Sequence, residues 1–409
     1  MSIVTVDRET LLRNLQASKL LSKRKYALVV EKLGQLKSAR EIVKALVSWK
    51  LLTKFQAQML LMGRKSGFQV GPYRILDELG HGGMGYVYKA QHLTMRRTVA
   101  LKILSPESMG TEKAQKMFRR EVRAAGQLHH PNIVMAFDAA EVDGRHYLAM
   151  EYVDGPTLEQ YVNQHGTLPS GVACEIIFQA AGGLQHAHEK GVVHRDIKPA
   201  NLLLQQESSS KALQVKILDF GLARLRDAAG APSSGEHALM GTPDFLSPEQ
   251  TKDLRSADIR SDLYSLGCAF YFLLTGQVPY PGGNVLHKLN RHDREVARPL
   301  EELCPEVPKN IARIVRKLMA KNPADRYQTP DELMDALAPH AVPSSLDWPP
   351  ARERGRDNSA KIRASEADTL PGGKAPRQSS AQDSILEWID TNRKQTGKAH
   401  PAALSRFAR

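Results

Sequence analysis

Cysteine is scarce in this chain, with three residues, Cys174, Cys268 and Cys304, in 409. Their odd number and wide spacing exclude a C-x-x-C metal or redox pair and leave no disulfide framework, so they are read as reduced structural thiols. Long apolar runs are missing as well. The longest candidate, LGCAFYFLL from Leu266 to Leu274, falls well short of the roughly 18 to 20 residues that cross a bilayer. The opening MSIVTVDRETLL lacks a basic segment followed by an apolar one, so no secretory signal is read there and a cytoplasmic protein is expected. Aromatics make up only 6%, and in the N-terminal part they are not interleaved with basic residues, which makes nucleic acid an unlikely partner.

What is present suffices for one large or two ordinary cores, since 42% of residues are hydrophobic and 25% charged. The net charge of +13 is uneven: residues 1–70 hold 14 Lys and Arg against 4 Asp and Glu, residues 71–340 hold 31 against 32, and residues 341–409 hold 12 against 8. The basicity therefore belongs to the two ends, and the large middle segment gives no ground for a nucleic-acid argument. Residues 1–66 read as a basic helical module. Ser38 with Glu41 and Thr53 with Gln56 each have capping-box spacing. Ile42, Leu46 and Trp49 then repeat at helical spacing, as do Leu52, Phe55, Met59 and Leu60, with Gly63 as the stop. These faces either form a small core of their own or lie against the next domain. Beyond Pro343 the chain turns rich in Pro, Ser, Gly and charge, so residues 343–409 are expected to be mostly disordered, with a short amphipathic segment near 383–394.

The stretch LGHGGMGYVYKA, Leu79 to Ala90, holds Gly80, Gly82 and Gly85 in the spacing G-x-G-x-x-G. That spacing suits a dinucleotide turn, a kinase phosphate loop or a glycine-rich hairpin with no ligand. A dinucleotide turn runs from strand into helix, whereas here YVYKA and RRTVALKIL follow, both strand-like. Strand, glycine loop, strand describes a flap over phosphates. In the second of these strands Lys102 supplies a cation, which needs a partner in so apolar a setting. Glu121, on a predicted helix, is the expected one; a snorkelling edge-strand lysine is the alternative.

Further along, HRDIKPAN runs from His194 to Asn201, and DFG from Asp219 to Gly221 follows the apolar strand VKIL. Phosphoryl transfer to a hydroxyl needs a carboxylate to take the proton, a cation beside the migrating group and oxygen ligands for magnesium. Asp196, Lys198 and Asn201 fit those three roles in turn, and Asp219 fits as the main magnesium ligand, because hard oxygen donors suit that ion.

From about Tyr73 to Ala338 the chain resembles the protein kinases, and specifically the bacterial Ser/Thr kinases of eukaryotic (Hanks) type. The resemblance rests on an ordered series: LGHGGMGYVYKA, VALK, Glu121, LHHPNIV, MEYVDGPTL, HRDIKPAN, DFGLAR, GTPDFLSPEQ, DIRSDLYSLG and DRYQT. It implies an α+β, bilobal fold with a small β-rich N-lobe (about 73–152) and a large helical C-lobe (about 153–338), to which the N-terminal helices are added. It implies ATP and Mg2+ as cosubstrate and cofactor, with Leu79, Val87, Ala100 and Leu203 about the adenine, Met150 behind it, and the backbone of Glu151 to Val153 bonding the base. Asp262 would brace the catalytic loop, and Glu249 with Arg326 would form a buried ion pair. Lys198 and the pair Gly241 and Thr242 look like the Ser/Thr-specific version, so protein Ser or Thr hydroxyls are the expected acceptors. Ser247 and Phe245 depart conservatively from the usual alanine and tyrosine.

Arg195, beside Asp196, suggests a site ordered by an anion, usually an activation-segment phosphate. Between Gly221 and Gly241 the only hydroxyls are Ser233 and Ser234, so these or Thr242 are the expected regulatory positions. The rival is ordering by Glu236 or by the N-terminal module without phosphate. A pseudokinase scaffold acting through residues 1–66 is the alternative function, and a homodimer or regulatory partner at that module is an open expectation.

Overall fold

The computed structural model describes residues 6–342 except Gln35, Gly83, 207–211, 221–242 and 254–255. Among the described residues the chain forms two compact units, one made of residues 6–81 with Tyr86–Leu101, the other of Gly82–Gly85 with the chain from Lys102 onward.

The first unit begins with four helices, α1 (Arg8–Ala17), α2 (Lys23–Lys32), α3 (Ala39–Ser48) and α4 (Lys54–Leu61). Each opens on a side-chain cap: Asp7, Ser22, Ser38 and Thr53 accept from a backbone N–H of the first turn. Both expected capping boxes are closed, Ser38 with Glu41 and Thr53 with Gln56. Gly63 stops α4 with φ +88°, and the bonds Gly63 N–H to Leu60 O and Arg64 N–H to Met59 O complete a Schellman turn. Leu11, Leu15, Leu33, Ile42, Leu46 and Leu60 close a core of their own, joined by Phe68. Trp49 is not part of it. It caps α3 in the open, 43% exposed, with the Lys32 ammonium 6.0 Å from its ring centroid. The indole has a large apolar body that a cation can cover from outside, so helical spacing alone misplaced it.

Six strands follow in the chain, β1 (Gln69–Val70), β2 (Tyr73–Gly82), β3 (Gly85–His92) and β4 (Thr98–Leu104), which lie largely in the first unit, and β5 (Ala136–Val142) and β6 (Arg145–Glu151) in the second. β1 pairs antiparallel with β2, Val70 opposite Tyr73, and β5 pairs antiparallel with β6. From Val99 to Leu104 every residue of β4 is buried, so alternation in its sequence does not mark a solvent face.

The second unit adds α5 (Pro106–Met109), α6 (Glu112–Ala125), α7 (Leu158–His165) and α8 (Ser170–Glu189), a hairpin of β7 (Leu202–Gln206) with β8 (Leu213–Ile217), and the helices α9 (Pro248–Lys252), α10 (Ile259–Thr275), α11 (Val285–Arg294), α12 (Leu300–Leu303), α13 (Lys309–Leu318) and α14 (Pro330–Leu337). The β7–β8 hairpin interrupts what reads in the sequence as a mostly helical half. α10 is buried nearly all round, as a helix apolar on every face must be. Gly267 on α10 has no room for a side chain, since a Cβ there would lie 2.6 Å from Leu318 Cβ of α13. The three cysteines are buried free thiols, two of them pushed up to about 12 by burial (Cys174, Cys268). No helix among the described residues is long and apolar enough to cross a membrane.

Candidate active site

The segment from His194 to Asn201 is held from two sides. Asp262, in the first turn of α10, accepts the backbone N–H groups of His194 and Arg195, each at 2.7 Å. Burial pushes its carboxyl up to about 7, against the pull of His194 and its amide. The His194 ring accepts Asp196 N–H at Nδ1, 3.2 Å, which assigns the ring proton to Nε2, and Nε2–H donates to Leu218 O at 2.6 Å. The same ring meets Phe220 edge to face at 4.7 Å. One buried imidazole thus ties the loop to the chain segment that carries Asp219. Two residues of this assembly, Arg195 (φ +69°) and Asp219 (φ +61°), sit in the left-handed region that non-glycine residues avoid. Such strain persists only where surrounding bonds over-determine it: Arg195 N–H is fixed by Asp262, and its carbonyl accepts from Gln250 of α9 at 2.9 Å.

On this frame the expected polar groups converge. Lys198 Nζ bonds both carboxylate oxygens of Asp196 at 3.0 Å. Asn201 Nδ2 donates to Asp196 O at 2.7 Å and to Oδ2 at 3.2 Å, which points the amide's acceptor oxygen away from the carboxylate. Lys102 Nζ donates to Asp219 Oδ2 at 2.7 Å. Lys102 is buried, which removes the snorkelling alternative. Its expected bond to Glu121 is not formed among the described residues; Asp219 answers the charge instead, and Glu121 lies buried on α6. Glu159 on α7 is raised by burial and, more weakly, by Asp244, while the Lys198 charge pulls it down.

Of the glycines, Gly85 has φ +137°, and a Cβ there would lie 2.0 Å from Ile103 O, so the backbone allows nothing larger. At Gly80 and Gly82 a Cβ would meet nothing within 4 Å. Met150 and Val153 are buried and Leu203 half-buried; Leu203 bridges to Thr157. Glu151 N–H donates to Met135 O at 2.9 Å. Leu79, Gly80, Val87 and Ala100 belong to the other compact unit, Leu79 exposed on β2, Val87 half-buried on β3 and Ala100 buried on β4. Ser233, Ser234, Gly241 and Thr242, like Glu236 and the segment near 383–394, fall outside the described residues.

Sequence reasoning missed three contributors. His194 is the buried hub just described. Gln250 anchors Arg195. Lys216 on β8 holds Glu151 in an ion pair at 2.9 Å, and its signal was a lysine among the apolar residues of VKIL. Glu249 and Arg326 do form the expected pair at 2.8 Å.

Residues 73–337 match the family model of the protein kinase domain. The chain belongs to the protein kinase family. It is 37% identical over 265 residues to a probable serine/threonine-protein kinase of Clostridium perfringens, covering 65% of this chain and 38% of that protein. It is 37% identical over 266 residues to the serine/threonine-protein kinase PknB of Mycobacterium leprae, covering 64% of this chain and 42% of that one. The chain thus spans about two fifths of the length of these curated relatives. Among solved structures it is similar to the kinase domain of Mycobacterium tuberculosis PknI, with TM-score 0.52 and 28% identity over 67% of this chain and 98% of that one. The kinase fold, with a β-sheet-bearing N-lobe and a helical remainder, is therefore that of the bacterial Hanks-type enzymes, and the N-terminal helices lie outside the matched segment.

Proposed function

We propose that this kinase transfers the γ-phosphoryl group of Mg-ATP to Ser or Thr hydroxyls of proteins. The observation that carries the reading is the cluster of Asp196, Lys198 and Asn201 on a loop pinned by Asp262, with Lys102 and Asp219 bonded to each other nearby in the chain's second unit. Asp196 takes the acceptor's proton as its oxygen forms the new P–O bond; the bond to the ADP oxygen breaks and its electrons leave with ADP. Lys198, already on both Asp196 oxygens, orients that carboxylate and offers charge to the migrating group. Lys102 supplies an ammonium for the phosphate chain.

The carbonyl of Asn201 and the carboxylate of Asp219 are hard oxygen donors, and a magnesium ion that takes its other ligands from phosphates and water fits such a pair. That ion would neutralise charge on the phosphoryl oxygens. Glu121 is proposed to share the Lys102 ammonium once Asp219 turns to the metal. Leu79, Val87, Ala100, Met150 and Leu203 are proposed to hold the adenine, with the backbone of Glu151 and Val153 bonding it, and the open glycines Gly80 and Gly82 to let backbone amides approach phosphate.

Regulation through Arg195 is part of the same proposal. Its Nε is buried and without a hydrogen-bond partner among the described residues, which suits an anion; phosphorylated Ser233, Ser234 or Thr242 would supply one. Mass-spectrometric phosphosite mapping of the active protein tests it, and full activity with segment 233–242 unmodified would refute it. The reaction itself is tested by phosphoryl transfer from labelled ATP, wild type against Asp196→Asn, reading autophosphorylation and a generic Ser/Thr substrate. Label in the first and none in the second is the expected result.

A further inference from the structure

We propose that Thr53 and Gln56 of the N-terminal module are positioning residues for nucleotide binding, holding the strand that leads into the glycine loop. The inference rests on the kinase reading above. Its ground is a second use of the Thr53–Gln56 capping box. Within the box, Gln56 N–H donates to Thr53 Oγ1 at 3.1 Å and Thr53 N–H to Gln56 Oε1 at 3.0 Å. The same two side chains then reach out of the helix: Thr53 Oγ1 donates to Leu76 O at 2.5 Å and Gln56 Nε2 to Ile75 O at 2.6 Å, both on β2. Ile75 N–H in turn donates to Phe68 O at 2.9 Å, and Phe68 belongs to the module's own core. Between Thr53 and Gln56, the Phe55 ring lies 6.1 Å from that of Tyr88 on β3.

One helix turn therefore touches both strands that carry the glycine loop. Leu76 is three residues before Leu79 and four before Gly80, and Tyr88 follows Val87 directly. Gln56 is buried with both ends of its amide engaged, so removing it leaves polar groups of the strand and the cap without partners, which costs more than the bonds are worth in water. A module joined only by its linker would leave β2 to itself. This one shares a buried hydrogen-bond network with it, and coupling between two sites is reciprocal: β2 held in place favours nucleotide, and nucleotide favours an ordered α4.

The test uses the full chain and steady-state rates at varied Mg-ATP with a generic Ser/Thr peptide, for wild type, Gln56→Leu, Thr53→Val and Thr53→Ser. Gln56→Leu is expected to raise KM for ATP about fivefold, the factor one net hydrogen bond is worth, with kcat within about twofold of wild type. Thr53→Val moves KM in the same direction, and Thr53→Ser, which keeps the hydroxyl, restores it. Hydrogen exchange is expected to show Mg-ADP protecting residues 54–61 in wild type and not in Gln56→Leu. An unchanged KM in Thr53→Val, or equal loss in Thr53→Val and Thr53→Ser, overturns the proposal even if Gln56→Leu fails to fold. A wild type that transfers no phosphoryl group overturns the kinase reading and this one with it, whereas an active wild type whose KM ignores both sites overturns this one alone.

Discussion

Glu249 and Arg326 meet at 2.8 Å with side chains 17% and 0% exposed; Lys102 and Asp219 meet at 2.7 Å with side chains 8% and 31% exposed. The distances are alike and the surroundings are not. All five N–H donors of Arg326 are used, on both Glu249 oxygens and on the carbonyls of Ala320, Arg260 and Lys321. Its guanidinium also lies 4.8 Å from the Tyr264 ring centroid, and Ser261 donates to Glu249 at 2.6 Å. Among the described residues Lys102 makes one hydrogen bond, although its ammonium carries three donors. A guanidinium with every donor engaged holds the fold, whereas an ammonium with one bond among the described residues suits the ligand-binding role proposed for it.

The largest test of that contrast is Arg326→Ala, which strands the half-buried Glu249 carboxylate and three carbonyls and is expected to cost about 3 kcal/mol in urea unfolding, the low end for breaking a buried pair; a loss below about 1 kcal/mol would make the pair a surface-like one. Asp196→Asn should do the opposite, lowering phosphoryl transfer by at least about a hundredfold while its thermal midpoint stays near that of wild type. Gly85→Ala forces a Cβ onto Ile103 O and should cost about 1–3 kcal/mol, whereas Gly82→Ala, with open space around it, should leave unfolding unchanged and alter only KM for ATP. Denaturation midpoints at pH 2 to 7 sharpen the picture further. Glu249 is half-buried, which raises its carboxyl, but the Arg326 and Ser261 bonds hold it down at about 2. The unfolded chain then binds more protons below the ordinary 4.5, so this contribution is complete above 4.5 and is lost as pH falls towards 2. Glu249→Gln should flatten that limb. A modest effect is expected from Ser261→Ala, about 1.5 kcal/mol of stability, the low end for one hydrogen bond to a charged partner.

Much of this was legible in the residues. The capping boxes at Ser38 and Thr53 and the Gly63 stop are local chemistry, decided within a few residues, and they appear as read. The series from Gly80 to Asp219 carried the family. Trp49 was misread because periodicity reports a face and not what covers it. Of the β7–β8 hairpin only VKIL, in β8, read as a strand; β7 escaped notice because it is short, lies within a stretch that reads as helical and finds its ladder partner in β8.

The sequence by itself determined the family, since the motifs that hold Asp196, Lys198, Asn201 and Asp219 are defined by type and order, and neither depends on distance. Only the tertiary structure decided who holds whom: Asp219 and not Glu121 on Lys102, His194 as the tie to Leu218, Lys216 on Glu151, and Gln56 on the carbonyl of Ile75. Each of those bonds joins residues 19 to 117 positions apart. Local pattern carries no information at such separations, because the choice of partner is made by which backbone groups folding has buried and left to be satisfied.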